Sequence, residues 1–284
     1  MPDPADEVAV RALDLSLRYH SSNQVTRGVA VDGAEFEIRR GELLAVVGET
    51  GSGKSTLARA VALQSDLRGD HRSPIIAGGS LTVLGQEIRG ISRRARARLQ
   101  ARVGYLRQEA GQFLAPRLTI EENILEPIYQ IDRTFDRMDA GAHAATLLDA
   151  VRLPLSMLDA MPHELSKGQR QRVAIARSLV LEPEVFVADD PTAGIDVRVR
   201  GSILDVIAQL QRQRSFAALI VTADLAEVRR ITDLVAVMQE GRIVGLGPIA
   251  EVFRDPYHPY VRRLGASLGA LQGMDVEAVA TETD

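Results

Sequence analysis

Val8–Leu17 and Ala34–Arg39 place apolar residues at alternate positions, the period-2 pattern of half-buried strands, and predict an antiparallel pair near the start of the chain. Leu43-Leu-Ala-Val-Val47 breaks that alternation with an unbroken apolar run that ends at a glycine loop. Such a run marks a strand of a parallel sheet, covered on both faces. Leu57–Leu63 then reads as a helix. Further buried strands are expected at Val103–Leu106, at Val185–Ala188 leading into Asp189-Asp190, and at Ala217–Val221 after the amphipathic helix Ile203–Gln211. Strands that alternate with helices require right-handed crossovers and hence a parallel sheet. From about 109 to 165 the sequence turns helix-prone and proline-punctuated, which predicts a helical insertion. Gly241–Gly247 predicts a small hairpin followed by a short accessory tail. Residues 1–7 and 272–284 are polar, acidic and aperiodic, and are expected to be poorly ordered.

Composition narrows the function classes. A chain of 284 residues suits one α/β domain with appendages. It contains no cysteine, which excludes disulfides, iron–sulfur clusters and thiolate zinc sites. Its five histidines are scattered, with no pair at metal-ligand spacing. A net charge of −4 argues against nucleic acid as a partner. The acidic N-terminus lacks the basic and apolar regions of a signal peptide. The longest apolar runs fall far below the ~20 residues that span a bilayer. The expectation is a cytosolic chain whose membrane role, if it has one, passes through another subunit.

Gly48-Glu49-Thr-Gly51-Ser52-Gly53-Lys54-Ser55-Thr56 matches G-x-x-x-x-G-K-[ST] and lies between an expected strand and an expected helix. Glycines let backbone N–H groups turn inward around phosphates, and the helix N-terminus adds its positive end. ATP is therefore the expected ligand, with Lys54 on the β- and γ-phosphates and Ser55 on Mg²⁺. Asp189, at the end of a buried strand, fits the Mg²⁺-coordinating acid of such sites, or else caps a turn. Leu165-Ser166-Lys167-Gly168-Gln169 precedes a helix over Arg170–Leu179, and Ser166-x-x-Gln169 reads as a capping box.

With the phosphate loop and the acidic strand, that last segment resembles the signature motif of ATP-binding-cassette proteins, usually Leu-Ser-Gly-Gly-Gln, and names the family. The resemblance covers about residues 8–268. It implies a P-loop NTPase (RecA-like) α/β core with a parallel sheet, an N-terminal antiparallel β subdomain and an inserted helical subdomain at about 109–180. The nucleotide-binding domain would span 8–240 and an accessory region 241–271. Ser166, Gly168 and Gln169 would face the γ-phosphate of ATP held by a second subunit. Lys167 replaces a glycine there, and tolerance is expected. Tyr19 lies where the family stacks an aromatic ring on adenine, although a half-buried strand residue is the other reading. Gln108 resembles the glutamine that touches Mg²⁺ and senses the membrane subunit. Ala193-Gly-Ile-Asp196 resembles the loop that crosses the dimer interface. Asp255-Pro-Tyr-His-Pro-Tyr260 resembles a segment of ATPases serving peptide, opine and nickel importers, or is a proline-rigid surface turn.

Two positions depart from the family. Asp190 stands where a catalytic glutamate is usual, one methylene shorter. Ala223, in Val221-Thr-Ala-Asp-Leu225, stands where a histidine contacts the γ-phosphate. Asp224-x-x-Glu227 is expected to form a second capping box. These departures predict a slow site that works beside a better-equipped second ATPase subunit in a heterodimer. The family resemblance adds two transmembrane permease subunits, an extracytoplasmic substrate-binding protein acting through them, and a peripheral place on the cytoplasmic side of the membrane. Two other readings fit the same sequence: a cassette ATPase of a cytosolic enzyme complex, and a non-catalytic ATP-binding module.

Overall fold

The computed structural model describes residues 7–19, 29–65 and 73–266. Of the two acidic tails, only Glu7 lies within them. Strands β1 (Val8–Arg18) and β2 (Val31–Arg39) open the chain, and β3 (Leu43–Gly48) runs into the loop before α1 (Lys54–Val61). Next come β4 (Ile75–Val83), β5 (Gln86–Glu87), α2 (Arg93–Gln100) and β6 (Val103–Leu106). A 3-10 turn at Ala110–Phe113 leads to α3 (Ile120–Ile131), α4 (Arg137–Ala150) and α5 (Lys167–Leu179). The chain continues through β7 (Val185–Asp189), α6 (Val197–Arg214), β8 (Ala217–Val221) and α7 (Leu225–Val228). It closes with β9 (Leu234–Gln239), β10 (Arg242–Pro248), α8 (Ile249–Val252) and a helix that begins at 259.

The elements form two sheets. An antiparallel sheet runs β2-β1-β4-β5, and a six-stranded sheet runs β10-β9-β3-β8-β7-β6. All pairs of the second sheet are parallel except β9 with β10. The unbroken apolar strands still alternate between two packing environments. On β7, Val185 and Val187 join the cluster that includes Leu57 of α1, while Phe186 and Ala188 join the cluster built around α3–α6. Sheet pleat and burial on both faces together account for a run without polar positions.

Several boundaries differ from the expectations. The helix after the phosphate loop starts at Lys54, because the glycine loop ends directly in its first turn, and it stops before Leu63, whose φ is +61°. Helix α5 begins at Lys167, so the last residues of the signature lie on its first turn. Gly241–Gly247 is one arm of a longer hairpin; its turn lies at Glu240-Gly241, where both residues have positive φ, and β9 supplies the other arm. The antiparallel sheet is not wholly N-terminal, since β4 and β5 follow α1. Asp224 caps α7 by accepting from the Ala226 N–H at 2.9 Å, but Glu227 does not complete a capping box and turns inward instead.

Candidate functional site

Three adjacent strands bring the site together. In the order β3-β8-β7, the phosphate loop follows β3, Thr222 and Ala223 follow β8, and Asp189 ends β7, all at one carboxyl edge. Ligand sites of open α/β sheets lie at this edge. Backbone bonds lock the strand ends: the Asp190 N–H donates to Val221 O at 2.9 Å and the Thr222 N–H to Val46 O at 3.1 Å.

Gly48 and Gly53 hold the loop's shape. Both have positive φ, and a Cβ on either would lie 2.1 Å from the Met238 carbonyl or 2.3 Å from that of Ala30. The Lys54 Nζ, on a side chain only 8% exposed, donates to the carbonyls of Gly48 and Glu49 at 2.7 Å each and to Ser52 Oγ at 3.4 Å. Burial lowers its pKa, against the opposing pull of Asp190, Asp189 and Glu49. The N–H groups of α1's first turn, at Lys54, Ser55 and Thr56, have no carbonyl one turn earlier in the helix and favour an anion.

Ser55 Oγ donates to Asp189 Oδ1 at 2.8 Å. A hydroxyl oxygen and a carboxylate at this spacing fit Mg²⁺, which keeps most of its shell as water and phosphate oxygen. No group of three acidic or histidine side chains suited to a protein-only metal cage occurs among the described residues. Burial raises the pKa of Asp189, and the Ser55 hydroxyl, Arg59 and Lys54 oppose that rise. Asp190 is raised too, by burial first, then by the charges of Asp189 and Glu227. Burial and the Asp189 charge push the neighbouring Tyr105 phenol to about 12.

Asp190, Thr222 and Ala223 line a cavity of about 240 Å³ with Gly51, Gly53, Lys54, Ser55, Thr56 and Gln108. A second cavity of about 530 Å³ is lined by Tyr19, Ser55, Arg59, Tyr105, Gln108 and Asp189, so Ser55 and Gln108 belong to both. The Tyr19 hydroxyl lies 3.1 Å from Thr56 Oγ1, which ties the aromatic ring to the loop. Behind Asp190 sits Glu227, 8% exposed, whose Oε2 accepts from Thr192 Oγ1 at 3.0 Å and Thr222 Oγ1 at 3.1 Å. Sequence reading missed this role because a helix of four residues has too few positions for periodicity to distinguish an inward glutamate from a capping one.

The sequence profile described as ABC transporter matches residues 31–193. The chain belongs to the ABC transporter family. Over 269 residues this cassette is 35% identical to the di/tripeptide transport ATP-binding protein DppF of Pseudomonas aeruginosa (strain UCBPP-PA14), across 93% of this chain and 80% of that one. It is 39% identical over 253 residues to the glutathione import ATP-binding protein GsiA of Escherichia coli (strain K12). That match takes in 89% of the cassette but 39% of the relative, so the chain spans about two fifths of that protein's length. Among solved structures it resembles CbiO1 from Clostridium perfringens, part of the ABC transporter complex CbiONQ, with a TM-score of 0.74, 25% identity, and coverage of 93% of this chain and all of that one. It also shares its fold with the ATP-binding cassette MJ0796, solved as a dimer in a post-hydrolysis state with ADP and Pi, at a TM-score of 0.73 and 22% identity over 84% and 98% of the two chains.

The cassette does not gather all of its expected site residues in one place. Ser166, Gly168 and Gln169 line neither cavity. They form a reciprocal cap at the start of α5: Ser166 Oγ accepts from the Gln169 N–H at 3.2 Å, and Gln169 Oε1 from the Ser166 N–H at 2.8 Å. The Ser166 hydroxyl keeps its own proton for another acceptor. Lys167 reaches Glu109 Oε1 at 3.3 Å, over Gly194, where a Cβ would lie 2.5 Å from the ammonium. That ion pair ties the signature to the segment after Gln108, with the lysine lying over the loop after Asp190.

Proposed function

We propose that this chain is an ATP-binding subunit of an importer for peptide-like cargo, and that its own nucleotide site is the slow half of a heterodimeric ATPase. Lys54 and the first turn of α1 take the phosphates of ATP. Ser55 and Asp189, with Gln108 beside them, hold Mg²⁺, which neutralises phosphate charge. Tyr19 offers its ring to the base. Asp190 orients the attacking water and accepts its proton, and Ser166, Gly168 and Gln169 complete the site of a second cassette subunit.

One observation carries the proposal of slowness: position 223 lines the phosphate-side cavity with a methyl group, next to Asp190. A methyl cannot donate to developing negative charge, and loss of one such donor costs on the order of 10²–10³ in rate. A carboxylate displaced by about 1 Å costs a further factor of up to about 10². The two losses act on one water and need not multiply. The relatives named for peptide and glutathione transport support the cargo class. A groove of about 390 Å³, lined by Tyr105, Phe113, Pro127, Ser178 and Leu181 beside Gln108, supports docking of one of two permease subunits, the other resting on the second cassette, and a substrate-binding protein serves both from the other side of the membrane. The chain accordingly sits peripherally on the cytoplasmic face. Among the described residues no helix is long and apolar enough to cross a membrane.

Single-turnover hydrolysis at this site, in the assembled complex with the partner's phosphate-loop lysine disabled, tests the proposal. Wild type is expected near background, with a gain of at least tenfold in Asp190→Glu combined with Ala223→His. Fast hydrolysis in wild type that Asp190→Ala abolishes would overturn it.

A further inference from the structure

Between residues 89 and 102 the chain carries six arginines and no acidic residue, although its net charge is −4. The fold gives them different surroundings. Arg96 is buried on the inner face of α2, where its Nη1 donates to the carbonyls of Leu63 and Ser65 at 2.7 Å each. Leu99, one turn on, joins the apolar cluster that includes Leu57 of α1. Arg102 pairs with Glu184 at 2.5 Å, and Arg89 donates to Ala77 O at 3.3 Å. Arg93, Arg94 and Arg98 are left. All three are exposed, and none has a side-chain hydrogen bond or ion pair among the described residues.

Those three guanidinium groups work against the helix that carries them. Arg93 and Arg94 stand in its first turn, which has no acidic residue and whose free N–H groups disfavour a cation. Arg94 and Arg98 are four residues apart on one face, where like charges repel. Folding alone therefore gives no reason for them. An anionic partner does, and α2 stands where one is at hand. Its C-cap Ala101 and the strand β6 that follows line the groove proposed above to receive a permease subunit, so the helix flanks that subunit's path into the bilayer. Cytoplasmic loops of membrane proteins carry an excess of Lys and Arg and would repel α2, whereas the cytoplasmic leaflet is anionic.

We infer that α2 is a docking surface for anionic lipid headgroups, with Arg93, Arg94 and Arg98 lying on the phosphates of the cytoplasmic leaflet. Each planar guanidinium can pair with two phosphate oxygens. Arg96 and Leu99 fasten the helix to the body of the chain, so lipid contact at α2 holds the neighbouring groove at the membrane surface. The inference rests on the peripheral place proposed above.

The test sediments the purified full chain, without nucleotide, with vesicles of phosphatidylcholine alone or with about 30 mol% phosphatidylglycerol, at about 0.1 M and about 0.5 M salt. An arginine close to an anionic surface contributes about fivefold in partitioning, so three contribute on the order of 10²-fold. Wild type should prefer the anionic vesicles about tenfold or more at the lower salt and lose most of that preference at the higher. Arg93→Gln combined with Arg94→Gln and Arg98→Gln should abolish the preference. Its thermal midpoint should hold or rise, since glutamine matches arginine in helix propensity and removes the repulsion. Arg137 on α4, Arg212 on α6 and Arg254 after α8 are exposed too. Replacing those three by glutamine should leave binding within about twofold of wild type, because screening confines the attraction to the nearest charges. A wild type without the preference overturns the inference; so does an α2 variant that binds as wild type, or a control variant that loses as much. The importer reading is judged apart, by uptake of a labelled dipeptide in cells from which the chain is deleted. Uptake lost with no lipid preference sinks only the inference, and uptake unchanged with the preference intact sinks only that reading.

Discussion

Asp190 holds a φ of +50° at the turn after β7, a region that aspartate and asparagine tolerate better than most side chains. Burial and the facing charges of Asp189 and Glu227 raise its pKa above that of an unfolded chain. Between the ordinary aspartate value of about 3.9 and the raised one, the folded chain binds more protons than the unfolded chain. Stability therefore falls as pH rises through that window, and the penalty is complete above it. Asp190→Asn keeps the shape and removes the charge. Its thermal midpoint should exceed wild type by a few degrees at pH 7, with the gain disappearing as the pH falls towards 4. Scanning fluorimetry across that range checks the sign; a variant less stable at pH 7 would show that the Arg200 and Lys54 attractions dominate. Asp190 and Ala223 were legible as departures because their neighbours match a motif. Glu227 was not, since its partners Thr192 and Thr222 lie on different loops and only the sheet order brings them together.

Helix α5 reaches beyond the signature. Gln171 is buried, accepts from the Gly111 N–H at 3.0 Å and donates to Pro191 O at 2.8 Å. One side chain thus joins α5 to the turn after Gln108 and to the loop after Asp190. Gly111 permits the approach, since a Cβ there would lie 2.7 Å from Gln171 N. Gln171→Leu would leave two buried backbone groups without partners, at about 1–3 kcal/mol each. Urea denaturation should register a loss of roughly 2–6 kcal/mol. An unchanged midpoint would mean that water replaces both bonds.

The strands of the parallel sheet were legible because burial on both faces leaves continuous apolar runs. Strand β4 was not. Gly78-Gly79 interrupts its pattern, and the structure accommodates them with a bulge: Gly79 has a φ of +64°, Asp14 of β1 has one of +50°, and a Cβ on Gly79 would lie 2.1 Å from Asp14 O. The β1–β4 register shifts at that point, between Leu13 and Ser16. A bulge adds a residue that alternation cannot count.

At the scale of the whole molecule, the α/β architecture and its two sheets follow the sequence reading, while the hairpin at the end of the second sheet is longer than its glycines suggested. Ser166, Gly168 and Gln169 line neither carboxyl-edge cavity, although Lys167 between them pairs with Glu109, which lines the larger one. The two functions should therefore separate genetically. Ser166→Arg is expected to leave this chain's nucleotide affinity within about twofold of wild type. In the proposed heterodimer it should lower ATPase activity by on the order of 10²-fold or more, because it would block the donor proposed to face the partner's nucleotide. If nucleotide affinity falls while complex turnover is unchanged, the signature serves its own chain's site and the proposed arrangement is wrong.

The reciprocal cap between Ser166 and Gln169 has a consequence for symmetry. It closes the signature with its own two residues, and neither of those bonds reaches Asp190 or Ala223. Mutation can therefore erode one face while the other stays intact. A pair built from one eroded and one intact cassette has a direction, because firing always occurs on the same side. The two permease subunits above such a pair would feel unequal forces in every cycle. They would then be free to diverge in sequence, each adapted to the side on which it sits.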